Sequence, residues 1–505
     1  MINDKNYYLS TFKLTEENLR SIAAKGLSLG GDYSDLFFEN SFYTDLRLRD
    51  GEVTSGRFSV DYGAGIRVLV GDKTGYAYSE NTSLAALTDA ASEAAAIASG
   101  TGAIRPECQD ASSLLRNARD RAATYTASGN NGNRLIRRFF NGSPNPSADR
   151  YPIEGDWRDL RTSDYLPFLR KLQSAISSKD SRIVKISAGI SGQVSDIMMF
   201  NSFGELKYET RPMTEISVSV GYSQNGENER KSFSRSFRQG AEMLSDSLVS
   251  ELADTAAMGI DQRFEARRPK GGAMPVVMGA GASGILLHEA MGHAFEADFI
   301  RKGESVFCGR MGKKVCPSEI SIVDDGTIRG NRGSLNFDDE GVPGQKTYMV
   351  SSGVLESYLH DRISAKHFGV SPTGNGRRES FRFNPIPRMR STYMENGTAT
   401  KEGLIASVKN GIYVEDFSNG QVKIGEGDFT FYVKSGYLIE NGRLTMPVKD
   451  INIIGNGPQA LADIVAVGND LRIDDSAWTC GKDQSVPVSC GIPTVLVKSL
   501  IVGGE

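Results

Sequence analysis

Histidine and cysteine, the side chains that most often bind metals or act as nucleophiles, are scarce in this chain: 4 and 5 among 505 residues. The cysteines stand at positions 108, 308, 316, 480 and 490. An odd, widely spaced set is not a disulfide framework, and a reducing compartment is the simpler expectation. No run of about 18 apolar residues occurs, so no transmembrane helix is expected. The segment Met1-Ile2-Asn3-Asp4-Lys5 lacks the apolar stretch of an export signal, which makes a cytoplasmic location the default. Neither sign of charge dominates: 58 Lys and Arg face 62 Asp and Glu, a net charge of −4. Such a chain has no global electrostatic reason to bind nucleic acid or an anionic membrane, and neither is expected as a partner.

Hydrophobic residues make up 39% of the sequence and charged residues 24%, enough for packed cores. The length allows roughly two to four domains. Glycine is in excess, 55 residues without a collagen-like period, and that excess belongs in turns and close backbone approaches. The residue pattern predicts an α+β protein. An N-terminal α+β unit spans 1–125, with a helix over Leu14–Gly26 capped by Thr15, strands over Leu36–Arg67 turning at Asp50-Gly51, and a helix over Thr82–Ser99. A middle α+β unit, also with an antiparallel sheet, spans 126–265. It is expected to hold helices over 164–181 and near 240–259, and strands over Ile183–Ser191, Asp196–Asn201 and Glu215–Tyr222. A loop-rich insert is expected near 120–158. Its Arg134, Arg137 and Arg138 beside Phe139 and Phe140 read as a solvated linker with a short docking helix rather than a nucleic-acid contact. A strand-rich C-terminal domain spans 266–505, with a hairpin turn at Asn441-Gly442.

One helix of that last domain stands out. From Ser283 to Ile300 apolar residues surround the axis, as in a buried helix, yet His288, Glu289 and His293 lie near its middle. A buried carboxylate needs a partner, a hydrogen-bond network or a metal. Two histidines and a glutamate so close together fit a metal site. Histidines five apart lie about 140° round an ideal helix, unlike the pair four apart in His-Glu-x-x-His. Both reach one ion only if the helix is distorted, and Gly292 suggests a π-bulge or bend there.

Gly279-Ala280-Gly281-Ala282-Ser283-Gly284 matches the dinucleotide fingerprint between a strand, Met274–Met278, and a helix. The βαβ unit it requires then fails: the acidic residue at the right distance, Asp298, is still in the helix. These glycines are read as a tight turn and a close helix contact. A catalytic zinc site needs a third protein ligand and an open position. Glu296, Asp298, Cys308, Cys316, His360, His367, Cys480 and Cys490 are all candidates, and spacing does not choose among them. Glu296 and Asp298 also suit a helix leaving the core for solvent. Cys480, read as lying in a turn, would be an accessible thiolate with its pKa lowered by Lys482.

The chain resembles the TldD/PmbA family of metallopeptidases, once labelled modulators of DNA gyrase. The resemblance rests on Met274-Pro275-Val276-Val277, the Gly284–His293 segment, Asp338-Asp339-Glu340-Gly341 and Thr373-Gly374-Asn375-Gly376-Arg377-Arg378. Pro387-Arg388-Met389, Thr392-Tyr393-Met394, Cys480-Gly481-Lys482 and Val486-Pro487-Val488 follow in the same order. It implies one Zn2+ held by His288, His293 and Cys480, with Glu289 as the catalytic glutamate. It further implies peptides or unfolded proteins as substrates, bound extended between the subunits of a homodimer or of a heterodimer with a metal-free homologous subunit. The chain departs from the family in having Asp483 directly before Gln484, where a glycine is common, and in the 120–158 insert. Carrying the metal motif, it resembles the active, TldD-like subunit. The alternative is a non-catalytic assembly subunit with a structural metal.

Overall fold

A computed structural model describes residues 4–100, 149–423 and 425–504. Cys108, the arginine and phenylalanine cluster at 134–140 and most of the expected insert lie outside the described residues.

The first unit opens with helices Lys5–Thr11 and Glu16–Gly26. Thr15 caps the second in a reciprocal capping box with Asn18, as its sequence position predicts. Strands β1 (Tyr33–Arg49), β2 (Glu52–Val70) and β3 (Lys73–Ser79) follow, then helix Leu84–Ser99. Asp50 and Gly51 both take positive φ, 48° and 92°, the geometry a two-residue hairpin requires. Beyond helix Thr162–Ser177 come β4 (Ile183–Asn201), β5 (Leu206–Gln224) and β6 (Glu227–Phe237), closed by helices Asp246–Ala257 and Ile260–Glu265. All six strands form one antiparallel sheet in the order β3-β2-β1-β4-β5-β6, so the N-terminal and middle units share their backbone ladder.

A strand break expected from the sequence after Ser191 is absent. Ile183–Ser191 and Asp196–Asn201 belong to a single strand. Gly192 sits within it because a Cβ there would stand 2.3 Å from the Trp157 indole; the glycine serves a close approach, not a turn. β5 likewise runs through Pro212, which pairs with Val194 of β4 on one side and precedes the start of the β6 pairing at Thr214 on the other. The end of the expected insert is docked rather than looped: Tyr151 donates to Glu209 Oε2 at 2.6 Å, and Trp157 Nε1 donates to Thr214 Oγ1 at 2.9 Å.

The C-terminal domain is built on two further sheets. β7 (Gly272–Met278), β14 (Asn410–Val422), β15 (Asp428–Glu440), β17 (Ile451–Asn456) and β23 (Val495–Gly503) pair in a closed ring, with β16 (Arg443–Val448) and β18 (Ile464–Val467) attached. Closure removes the exposed edges that a five-stranded ribbon would leave. The second sheet runs β10 (Val354–Leu355), β9 (Lys346–Ser351), β8 (Ile322–Asp325), β13 (Ser391–Met394), β22 (Ser489–Ile492), β19 (Arg472–Ile473). Two small hairpins, β11 (Gly376–Arg377) with β12 (Ile386–Pro387) and β20 (Thr479–Lys482) with β21 (Gln484–Pro487), complete the strands.

The polar helix lies between these sheets. Leu286, Leu287, Met291 and Phe295 share one core with Phe429, Phe431 and Ile453 of the ring and with Ile322, Met349 and Met394 of the second sheet. The Asp339-Glu340 loop plugs into the N-terminal sheet through buried ion pairs: Arg67 to Asp35 and, at 2.6 Å, to Glu340, and Arg211 to Asp339 at 2.5 Å. No helix among the described residues is long and apolar enough to cross a membrane.

Candidate metal centre

The segment expected as one helix is broken into four short turns. A 3₁₀ turn, Ala282–Gly284, leads to one helical turn, Ile285–Leu287. A π turn then spans His288–Gly292, and a 3₁₀ turn spans His293–Phe295. Glu296 is extended (ψ 122°), and helix Ala297–Lys302 starts afresh after it. The π turn falls where the five-residue histidine spacing demands a distortion. It brings the His288 and His293 rings to 5.2 Å, edge to face. Gly292 permits this placement: a Cβ would lie 2.0 Å from the sulfur of the fully buried Met389. Upstream, Gly281 takes φ 93°, and a Cβ on Gly284 would meet the Gly491 backbone at 2.5 Å. This matches the tight turn and close packing read from the fingerprint glycines.

The third member arrives from the β20–β21 hairpin. Cys480 pairs with Val486 across it, and the turn lies at Asp483, whose φ of 55° is one a glycine would take freely and aspartate tolerates. Cys480 is thus in a strand, not in a turn, and it is buried rather than accessible. One donor atom from each of His288, His293 and Cys480 lies within 4.8 Å of the others, and all three residues are buried. Cys480 Sγ is 3.2 Å from His293 Nε2. The remaining candidates fall outside this group. Cys308 Sγ faces the Ile300 carbonyl, Cys316 packs in the core, His360 Nδ1 faces Ser364, and His367 lies by Asp72 at the surface.

Glu296 and Asp298 do not mark an exit into solvent. Glu296 is fully buried, and its Oε2 accepts from His293 Nδ1 at 2.9 Å and from Lys482 Nζ at 3.0 Å. Lys482 also bonds Asp298 Oδ1 at 2.7 Å, so its charge serves these carboxylates rather than the thiol. Burial alone would push the Cys480 thiol up; the facing His288 and then His293 hold it down, to about 4. Burial would likewise raise the Glu296 carboxyl, but Lys482, His293 and Arg388 hold it down to about 2. Cys490 is the opposite case: burial first, then the charges of Asp474, Glu289 and Asp416, push its thiol up. Arg388, for which its motif alone implies no role, donates to the Cys480 carbonyl at 2.6 Å and to the Gln484 carbonyl at 2.8 Å.

Among the described residues, neither ring nitrogen of the buried His288 has a hydrogen-bond partner. Buried polar atoms left this way are rare and call for a ligand. Two imidazoles and a thiolate are a donor set that suits zinc. Glu289, half-buried beside His288, stands outside the three-donor group. A cleft of about 370 Å³ reaches the hairpin, lined in part by Tyr43, Phe58, Gln193, Arg332, Thr479 and Val486. A larger one of about 1140 Å³ reaches Phe233, Asp474 and Trp478.

Comparison with known proteins matches three domain models of one family along the chain. The PmbA/TldA metallopeptidase C-terminal domain matches residues 271–504, the family's domain 1 matches 34–98, and its central domain matches 155–259. The Metalloprotease TldD homolog of Haemophilus influenzae is 36% identical over 479 residues, covering 94% of this chain and 93% of that protein. The Zinc metalloprotease TldD homolog of Saccharolobus solfataricus is 34% identical over 258 residues, 51% of this chain and 57% of that protein. A Thermotoga maritima crystal structure, named as a candidate modulator of a DNA gyrase, has a TM-score of 0.74 at 21% identity. It covers 98% of this chain and all of that one; at such identity the likeness bears on fold alone.

Proposed function

Because the chain belongs to the PmbA/TldD metallopeptidase family, we propose that it is a zinc-dependent peptidase acting on peptides or unfolded proteins, with His288, His293 and Cys480 as ligands and Glu289 as general base. The observation that carries this reading is the buried His-His-Cys group, with His288 otherwise unpartnered among the described residues. The donor chemistry and the name of the Saccharolobus relative favour zinc over other ions. Bound there, zinc supplies a Lewis acid that polarises a carbonyl and lowers the pKa of a water from 15.7 to roughly 7. Glu289 accepts the proton of the attacking water on its carboxylate and returns it to the leaving amine.

The test is removal and return of the metal. Hydrolysis of a reduced, unfolded protein should cease when a chelator strips the ion and return with stoichiometric Zn2+. Undiminished hydrolysis by metal-free protein would reject the reading.

The proposal includes a dimer, with itself or with a metal-free homologue. From Glu52 to Gly63, β2 pairs only with β1 among the described residues, leaving a long open edge. Phe58 is 79% and Val60 60% exposed on that strand. Long open edges with apolar side chains are normally covered. Light scattering should give twice the chain mass for the protein alone or one copy of each chain with its homologue. Phe58→Glu should lower it toward the monomer. A monomeric wild-type protein with full activity, alone, would overturn the dimer.

A further inference from the structure

We infer that Glu296 and Lys482 are positioning residues of the metal centre, which pre-set two of its three donors and join the elements that carry them. The inference rests on the His288, His293 and Cys480 ligand set proposed above.

Glu296 follows His293 by three residues and sits where the helix breaks. That break turns its carboxylate back onto His293 Nδ1, at 2.9 Å. In the neutral ring that a metal binds, a nitrogen that donates to a carboxylate carries the proton, which leaves the lone pair on Nε2, the atom 3.2 Å from Cys480 Sγ. The carboxylate therefore selects the tautomer and orientation that a metal ligand needs.

A buried carboxylate is costly without countercharge. Lys482 supplies it, two residues beyond Cys480 on the same hairpin. Its ammonium reaches Glu296 at 3.0 Å, Asp298 at 2.7 Å and the Pro387 carbonyl at 3.2 Å, and it lies 4.2 Å from the centre of the Phe299 ring. Arg388 adds a second tie: Nε is 3.9 Å from Glu296 Oε1, while both terminal nitrogens grip carbonyls of the hairpin. The helical segment bearing His293 and the hairpin bearing Cys480 are thus fastened through one carboxylate. Among the described residues, His288 has no equivalent partner. Two of the three donors are thus tied to neighbouring side chains or hairpin carbonyls.

The experiment measures Zn2+ affinity by competition with a chromophoric chelator, in full-length wild type, Glu296→Gln, Lys482→Met, Lys482→Arg and Cys480→Ala. The visible spectrum of each Co2+-loaded protein and the melting curve of each metal-free protein complete the set. Glutamine keeps the shape and a weaker acceptor but loses the charge. We expect Glu296→Gln and Lys482→Met to weaken Zn2+ by about 10–100-fold, the usual effect of losing an outer partner. Lys482→Arg, which keeps the charge, should retain more affinity than Lys482→Met. The thiolate-to-Co2+ band should shift in Glu296→Gln and vanish in Cys480→Ala. Affinity within about twofold of wild type in Glu296→Gln, with Cys480→Ala unable to bind, would overturn the positioning role and leave the ligand set standing. Wild-type affinity in Cys480→Ala would instead overturn the ligand set. Should Glu296→Gln fail to melt cooperatively, the two Lys482 variants decide: equal, wild-type affinity in both overturns the inference.

Discussion

Cys480→Ala is expected to emerge from purification without metal, while Cys490→Ala retains one ion per chain. Both cysteines are buried in strands of the C-terminal domain, Cys480 in the β20–β21 hairpin and Cys490 in β22 of the second sheet, so the contrast depends on where each sulfur points. Cys480 Sγ joins the two histidines in a group spanning 4.8 Å, whereas Cys490 belongs to β22, paired with β13 on one side and β19 on the other. The electrostatics separate them in the same direction. The imidazoles hold the Cys480 thiol down to about 4, while burial and the charges of Asp474, Glu289 and Asp416 drive the Cys490 thiol up. Only a thiolate is a good metal ligand. Losing an outer partner of a ligand already costs about 10–100-fold in affinity, so losing the thiolate should cost more than about 100-fold. Metal content by atomic absorption, with circular dichroism to show that both variants fold, reads the result. Metal lost from Cys490→Ala and kept by Cys480→Ala would reverse the assignment.

Much of this site was legible because its residues obey local rules. Histidines five apart on an apolar helix cannot share a face in ideal α geometry, so the sequence demanded a distortion, and the π turn is that distortion. The hairpin turns at Asp50-Gly51 and Asn441-Gly442 were equally readable, since all four residues take the positive φ such turns require. What stayed hidden depends on contacts between distant residues. Nothing in the spacing singles out Cys480 among the candidate third ligands; only its resemblance to a family motif pointed there. Glu296 looked like a helix exit because acidic residues usually are. Its burial becomes intelligible only when Lys482, 186 residues later, arrives beside it. The strand expected to end at Ser191 runs on for the same reason: the indole that requires Gly192 lies on another segment.

Glu289→Gln is expected to keep its zinc and lose hydrolysis by about 10²–10⁴-fold, the usual worth of a positioned proton-transfer group. Glu289 adjoins a ligand in the π turn yet lies outside the donor group, so its replacement should leave the ion in place. Glutamine is nearly isosteric and half-buried glutamate has room for it, so packing should survive. What changes is chemical: a carboxylate accepts a proton and hands it on, whereas an amide does neither at neutral pH. A metal that serves structure alone needs no such neighbour, and this variant therefore separates a peptidase from an assembly subunit with a structural ion. The measurements are zinc per chain, the melting temperature, and turnover of an unfolded protein at saturating concentration. Turnover equal to wild type would remove Glu289 from the reaction. Loss of zinc together with turnover would make it a ligand, and the ligand set would then have to be drawn again around four residues.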